Sequence, residues 1–212
     1  MINIKSFIFN DFQENTFILS DETKECIIID PGMSSSTEEE IIDNYIKENK
    51  LKPVAMINTH CHVDHILGCN IVKRKYSLPF YTHEEEIPLL EHAPEMGSIF
   101  GIEMESPPIP DKFLKNNDVF IFGNSEIIIY HVPGHSPGSL AFHNIPGEFV
   151  ITGDVLFNGS IGRTDLPGGD YNTLLNSIRN KLMVLPRQTT AFPGHGDSTT
   201  IGKEYDTNPF LI

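Results

Sequence analysis

Seven consecutive residues, Thr59-His60-Cys61-His62-Val63-Asp64-His65, constrain this chain more than any other stretch. Four metal-ligand side chains fall within six positions, and imidazole with carboxylate suits Zn²⁺, Fe²⁺ or Mn²⁺. The run ahead of them, 54–58, reads as a buried strand, and 64–76 can be helical. The loop therefore joins the carboxyl end of a strand to a helix, where α/β folds commonly place their sites. His60 and His62, two apart in an extended segment, point the same way. Asp64 and His65 follow at the start of the helix and point elsewhere. One loop thus serves two adjacent ions. Alternation turns Cys61 away from the ion that its neighbours share, so it reads as a buried thiol.

The rest of the chain supplies a frame for that loop. Strand-like runs at 2–9, 16–19 and 26–29 precede a helical spacing over 37–47, with Ile41, Ile42, Tyr45 and Ile46 as its apolar positions. A short strand at 78–81 and a short helix at 83–90 follow. The pattern then breaks between Ala93 and Asp111, where Pro94, Pro107, Pro108 and Pro110 accompany Met96, Ile99, Phe100 and Met104. Such a loop reads as a lid or pocket wall with Phe100 among its substrate-facing groups. Strands at 119–122, 126–132, 139–143 and 149–152, a helix over 171–182 and a strand at 189–192 complete the pattern. No linker or low-complexity segment divides the chain, so residues 1–212 are expected to form one domain.

Composition narrows the classes. Acidic residues number 29 against 15 basic, a net charge of −14, which argues against a broad basic surface for nucleic acid. No apolar run reaches the roughly 18 residues needed to span a bilayer, and the N-terminus lacks the pattern of a signal peptide. Cys26, Cys61 and Cys69 form neither an even disulfide framework nor a C-x-x-C pair. The expectation is a cytoplasmic protein acting on a small molecule.

Three more segments place a ligand-type residue just past a β run and beside glycine: Pro133-Gly134-His135, Thr152-Gly153-Asp154 and Pro193-Gly194-His195-Gly196. Glycine allows the tight turn and close approach that aim a side chain into a shared cavity. Together with the histidine loop they supply two ligand sets. His60, His62 and His135 would hold one ion, Asp64, His65 and His195 the other, and Asp154 would bridge both. Two ions so held leave room for a bridging water acidic enough to be hydroxide near neutral pH. Asp64 and Asp154 are the candidate catalytic carboxylates.

The segments T-H-C-H-V-D-H, P-G-H-S-P-G-S, G-D-V-L-F, G-R-T-D and P-G-H-G occur in an order that resembles the metallo-β-lactamase fold superfamily. Within it the chain looks like the small hydroxyacylglutathione hydrolase, glyoxalase II-like branch, to which G-R-T-D and the T-N-P-F ending also point. The resemblance implies an α/β fold, an αββα sandwich of two packed mixed β-sheets with outer helices. It carries over all seven ligand positions and two metal ions per chain, zinc first, with iron or manganese as alternatives. It implies that Asp30 orients a metal-bound histidine and that Arg163 stands where the family places a basic substrate contact. Two departures stand out. The full-length thioesterases carry a C-terminal helical domain that grips glutathione, and this chain ends at Ile212, soon after the last ligand. Ser139 also occupies a position where the family often has histidine, outside the seven ligands.

The activity this implies is hydrolysis of thioesters such as S-lactoylglutathione-like hydroxyacyl thioesters, by attack of the metal-bridging hydroxide. A mononuclear iron persulfide dioxygenase, which shares the G-R-T-D segment, is the alternative, and lactone or ester hydrolysis is a third.

Overall fold

The computed structural model describes all residues from Met1 to Ile212. It divides into two compact units, Met1–Phe113 with Ile121–Ser125, and Leu114–Phe120 with Glu126–Ile212. Each is built on one mixed six-stranded sheet with helices. This is the α/β architecture expected.

In the first unit the strands lie in chain order: β1 (Asn3–Phe9), β2 (Glu14–Ser20), β3 (Glu25–Ile29), β4 (Lys52–Ile57), β5 (Phe80–Thr82) and β6 (Lys112–Phe113). β1 to β3 are antiparallel, and β3 to β6 run parallel. The parallel part needs crossovers, and helix α1 (Ser36–Glu48) supplies the first. Its start is fixed by Ser35, whose side chain accepts from the Glu38 N–H, with Glu38 and Glu39 at the positive end of the helix dipole. Its apolar face sends Ile42 and Ile46 into a core with Ile18, Ile28, Met56, Val72 and Phe80. Burying a side chain of that size stabilises by about 1.5–3 kcal/mol.

The helix expected over 64–76 is two helices, α2 (Val63–Ile66) and α3 (Cys69–Tyr76). The break has a long-range cause. Gly68 donates its N–H to the Pro31 carbonyl at 2.7 Å. A Cβ there would come within 2.8 Å of that same oxygen. After a single turn of 3₁₀-helix at Glu84–Glu86 come α4 (Ile87–Glu91) and α5 (Ala93–Ile99). Here the expected irregular stretch starts as a helix. Pro94 lies in the first turn of α5, where its missing N–H costs no hydrogen bond. Residues 100–111 are irregular, and Met104 packs on the core from them.

The other six-stranded sheet has the order β14-β13-β10-β9-β8-β7, from β7 (Val119–Phe122), β8 (Ser125–His131), β9 (Leu140–Asn144), β10 (Phe149–Gly153), β13 (Thr190–Pro193) and β14 (Thr199–Thr200). A small ribbon, β11 (Leu156–Phe157) with β12 (Ser160–Ile161), follows β10. Helix α6 (Tyr171–Ser177), capped by Asp170, runs into a wider π-turn at Ile178–Leu182. The expected 171–182 helix is therefore present with its last turn loosened. Leu174, Ile178 and Leu182 meet Val132, Val150 and Ala191 in a second core. Helix α7 (Ile201–Thr207) closes the chain, and Asn208 after it donates to the Ser160 carbonyl at 3.0 Å. The asparagine of T-N-P-F is thus a clamp on β12. No helix is long and apolar enough to cross a membrane.

Candidate metal centre

In the first unit the histidine loop leaves β4 and is gripped from behind by buried carboxyls. Asp30 follows β3 with a left-handed backbone, φ +50°, a region that aspartate enters more readily than most residues. That turn aims its carboxylate at the loop. Oδ1 accepts from the Thr59 N–H at 2.6 Å and Oδ2 from the Thr59 hydroxyl at 2.5 Å. Oδ2 also lies 3.1 Å from His65 Nδ1. Glu86 accepts the Cys61 N–H at 2.7 Å, and Asn58 donates its amide to the His65 carbonyl at 2.8 Å. Asn10, at the tip of the β1–β2 turn, donates to the carbonyls of Gly32 and Asp64, both at 2.9 Å.

The result is a tight group of rings. The centroids of His60 and His62 are 4.9 Å apart, and those of His60 and His65 are 4.1 Å apart. Asp64 Oδ2 lies 3.7 Å from His65 Nε2. Cys61 faces the other way, with its thiol 3.6 Å from the Thr82 hydroxyl, and burial pushes its pKa well up. Cys26 and Cys69 are likewise free and buried.

The second unit arranges its donors with glycine and main-chain atoms. His135 stands beyond β8 after Gly134, whose φ is +129° and whose Cβ would lie 2.2 Å from the Leu174 nitrogen. Its Nδ1 is 2.9 Å from the Arg163 carbonyl. Gly162, beside it, passes so close to Asp154 that a Cβ would sit 1.9 Å from the Asp154 carbonyl oxygen. Asp154 follows Gly153 at the end of β10, and the Gly194 N–H donates to the Gly153 carbonyl at 2.9 Å. That bond sets the Asp154 and His195 loops side by side. Asp154 Oδ2 lies 3.7 Å from His135 Nε2 and 3.5 Å from His195 Nε2.

The donor set fits divalent cations. The carbonyl of Arg163 and the carboxylate of Asp30 each accept from a Nδ1–H, so His135 and His65 offer Nε2 lone pairs. Thr59, whose hydroxyl donates to Asp30, accepts from His60 Nδ1 at 3.1 Å, with the same outcome. Two ligand atoms at 2.0–2.2 Å from one tetrahedral ion stand about 3.4 Å apart. The 3.5–3.7 Å gaps between imidazole nitrogen and carboxylate oxygen are close to that spacing.

The remaining expected residues occupy exposed ground. Arg163 makes a bidentate pair with Asp165, with both bonds at 2.7 Å. The guanidinium pulls the Asp165 carboxyl down to about 2. Phe100 ends α5, is 46% exposed and meets Phe12 edge to face at 5.8 Å. Ser139, at the family's frequent histidine position, shares a 2.7 Å hydroxyl contact with Ser136 and is buried.

A metallo-β-lactamase superfamily model matches residues 9–195. The chain belongs to that superfamily. It is 36% identical to the hydroxyacylglutathione hydrolase GloC of Haemophilus influenzae, over 99% of this chain and 98% of that protein. It is 37% identical to BLEG-1 B3 metallo-β-lactamase, whose crystal structure superposes with a TM-score of 0.91 over 99% of both chains. A third likeness is to TTHA1623, solved in a di-iron-bound form, at 36% identity and a TM-score of 0.88 over 98% of this chain and all of that one. Membership makes the chain one of a family of metal-dependent hydrolases acting on small molecules, and its His and Asp clusters suit divalent metal binding.

Sequence reasoning missed Glu14, Thr59, Asn58 and Glu86, the groups that hold the loop from behind. Glu86 sits in the acidic Glu84-Glu85-Glu86 run within the expected 83–90 helix, yet it is fully buried. Glu14 is fully buried as well. Burial pushes its carboxyl well above the usual carboxylate range, against the pull of His65. No pattern in the sequence marks either.

Proposed function

We propose that residues 1–212 act as one metallo-β-lactamase-like domain that hydrolyses thioesters of the hydroxyacyl class with two divalent ions. His60, His62 and His135 would hold one ion, and Asp64, His65 and His195 the other, with Asp154 shared. The observation that carries this reading is the placement of Asp154 Oδ2 between His135 and His195, at 3.7 and 3.5 Å, since those histidines belong to different ligand sets. Zinc is the proposed metal, with iron or manganese as alternatives. Bound ions of this kind polarise a carbonyl and make a water molecule acidic enough to attack it.

The chain's own groups supply the rest. Water adds to the thioester carbonyl, the carbon–sulfur bond breaks, and a carboxylate, a thiol and a proton result. No side chain need be acylated: Cys61 faces the core as a neutral thiol, and Ser136 and Ser139 are engaged with each other. Asp30 and the Arg163 carbonyl keep Nδ1 protonated on His65 and His135, which fixes the direction of Nε2. The Arg163 guanidinium, held by Asp165 in the free protein, suits an anionic group on the thiol carrier. Phe100 and Phe12 offer an apolar surface for the acyl or thiol portion.

Metal content by elemental analysis, with a panel of thioesters, lactones, esters and β-lactams on metal-replete protein, tests the proposal. Two ions and a preference for hydroxyacyl thioesters are expected. Oxygen uptake with a persulfide and one iron per chain, without thioester turnover, would replace it with a dioxygenase.

A further inference from the structure

Glu14 opens β2 and is fully buried. Its Oε2 lies 2.8 Å from the Thr16 hydroxyl, which also accepts the Gly32 N–H at 2.9 Å. Its Oε1 is buried with no hydrogen-bond partner and stands 3.9 Å from His65 Nδ1. An unsatisfied buried carboxyl oxygen works against folding, yet the chain makes room for this one. A Cβ on Gly32 would fall 2.1 Å from Oε2, so only glycine leaves space for the carboxyl.

The carboxyl is also redundant for orienting the ring. Asp30 Oδ2 already lies 3.1 Å from the same nitrogen. His65 thus has two buried carboxyls behind one Nδ1, whereas the group at His60 Nδ1 is the Thr59 hydroxyl. The second carboxyl is explained by charge. A cation on Nε2 makes the imidazole more positive and its Nδ1–H a stronger donor, and an unpartnered carboxyl oxygen 3.9 Å away, negative in its partial charge, attracts it through a medium that screens poorly.

We propose that Glu14 is a positioning residue of the metal centre, which together with Asp30 backs His65 and selectively tightens the hold on the ion that His65 ligates. The two ion positions are then unequal by construction. This rests on the proposed role of His65 as a ligand.

Glu14→Gln keeps the shape and removes the carboxyl. Zinc and cobalt titrations against a chelator, on wild type and E14Q, read the affinity of each ion. The melting temperature of the metal-free protein is read in parallel. One affinity is expected to fall roughly ten-fold or more, the range for lost partners of metal-bound histidines, with the other within two-fold. The metal-free melting temperature should hold or rise, because a neutral amide replaces a buried acid that stands close to Asp30. Unchanged affinities overturn the proposal, as does an equal loss at both ions with a lower metal-free melting temperature, which marks a structural role. If E14Q does not fold, Glu14→Asp withdraws the carboxyl by one methylene and should weaken the same ion less, while wild-type affinities in it overturn the proposal. If wild type takes a single ion, the two-ion reading fails by itself. Glu14 is then judged on that ion, where a ten-fold loss in E14Q upholds its role and none removes it.

Discussion

The two units aim their proposed metal-ligand side chains by different means. In the first, side chains hold side chains: Asp30 bonds Thr59 and lies against His65, Glu86 holds the Cys61 N–H, and Glu14 stands behind. In the second, main chain holds side chain: the Arg163 carbonyl meets His135, and glycines at 134 and 162 let backbones pass closely. Carboxyl backing tunes the charge that a bound cation feels. Glycine backing fixes position and leaves charge alone. The first half-set should therefore respond to substitution through metal affinity, and the second through geometry and folding stability.

The largest effect tests the group that belongs to neither style alone. Asp154→Ala should abolish thioester turnover while circular dichroism and the metal-free melting temperature stay near wild type; activity within a few-fold of wild type would remove Asp154 from its shared position. Next comes Asp30→Asn, which keeps the shape but removes charge behind His65. Metal affinity should drop about 10–100-fold, the range for partners of metal-bound histidines, as measured by chelator competition. Gly162→Ala probes the opposite style. Its Cβ would meet the Asp154 carbonyl at 1.9 Å, and relief of that overlap should cost about 1–3 kcal/mol. Several degrees of melting temperature should be lost even without metal. A metal-free protein as stable as wild type would erase the contrast between the units. The smallest effect is at the exposed rim. Phe100→Ala should raise KM or alter acyl preference a few-fold with little change in melting temperature; a sharp drop in melting temperature with kcat/KM untouched for every substrate would make Phe100 a packing residue.

The sequence displayed those parts of the fold whose cause is local. The strands near 16–19, 26–29 and 149–152 and the 37–47 helix carry their own periodicity, and the structure has β2, β3, β10 and α1 there. The donors were legible because four of them crowd one loop after a strand and the other three, His135, Asp154 and His195, each stand beside glycine past a strand end. What stayed hidden depends on groups far away in the chain. The break between α2 and α3 is set by the Pro31 carbonyl, and the burial of Glu86 by the Cys61 amide 25 residues away. Pro94 misled because proline breaks a helix in its middle but not in its first turn. The ribbon of β11 and β12 is too short to show any period.

Arg163 divides its work between two parts of one residue: its carbonyl sets the ring of His135, and its guanidinium pairs with Asp165 in solvent. Every amino acid has the carbonyl, so the side chain at 163 can change while the His135 contact persists. Such a position can drift under selection for a new substrate without a matching loss of the metal-binding half-set. Under the proposed role of Arg163 as an anion contact, one codon change would exchange the anion for a neutral or apolar group. Side-chain change at 163 is therefore cheap for the His135 contact, in contrast with Gly162 beside it, where any side chain collides with the Asp154 backbone.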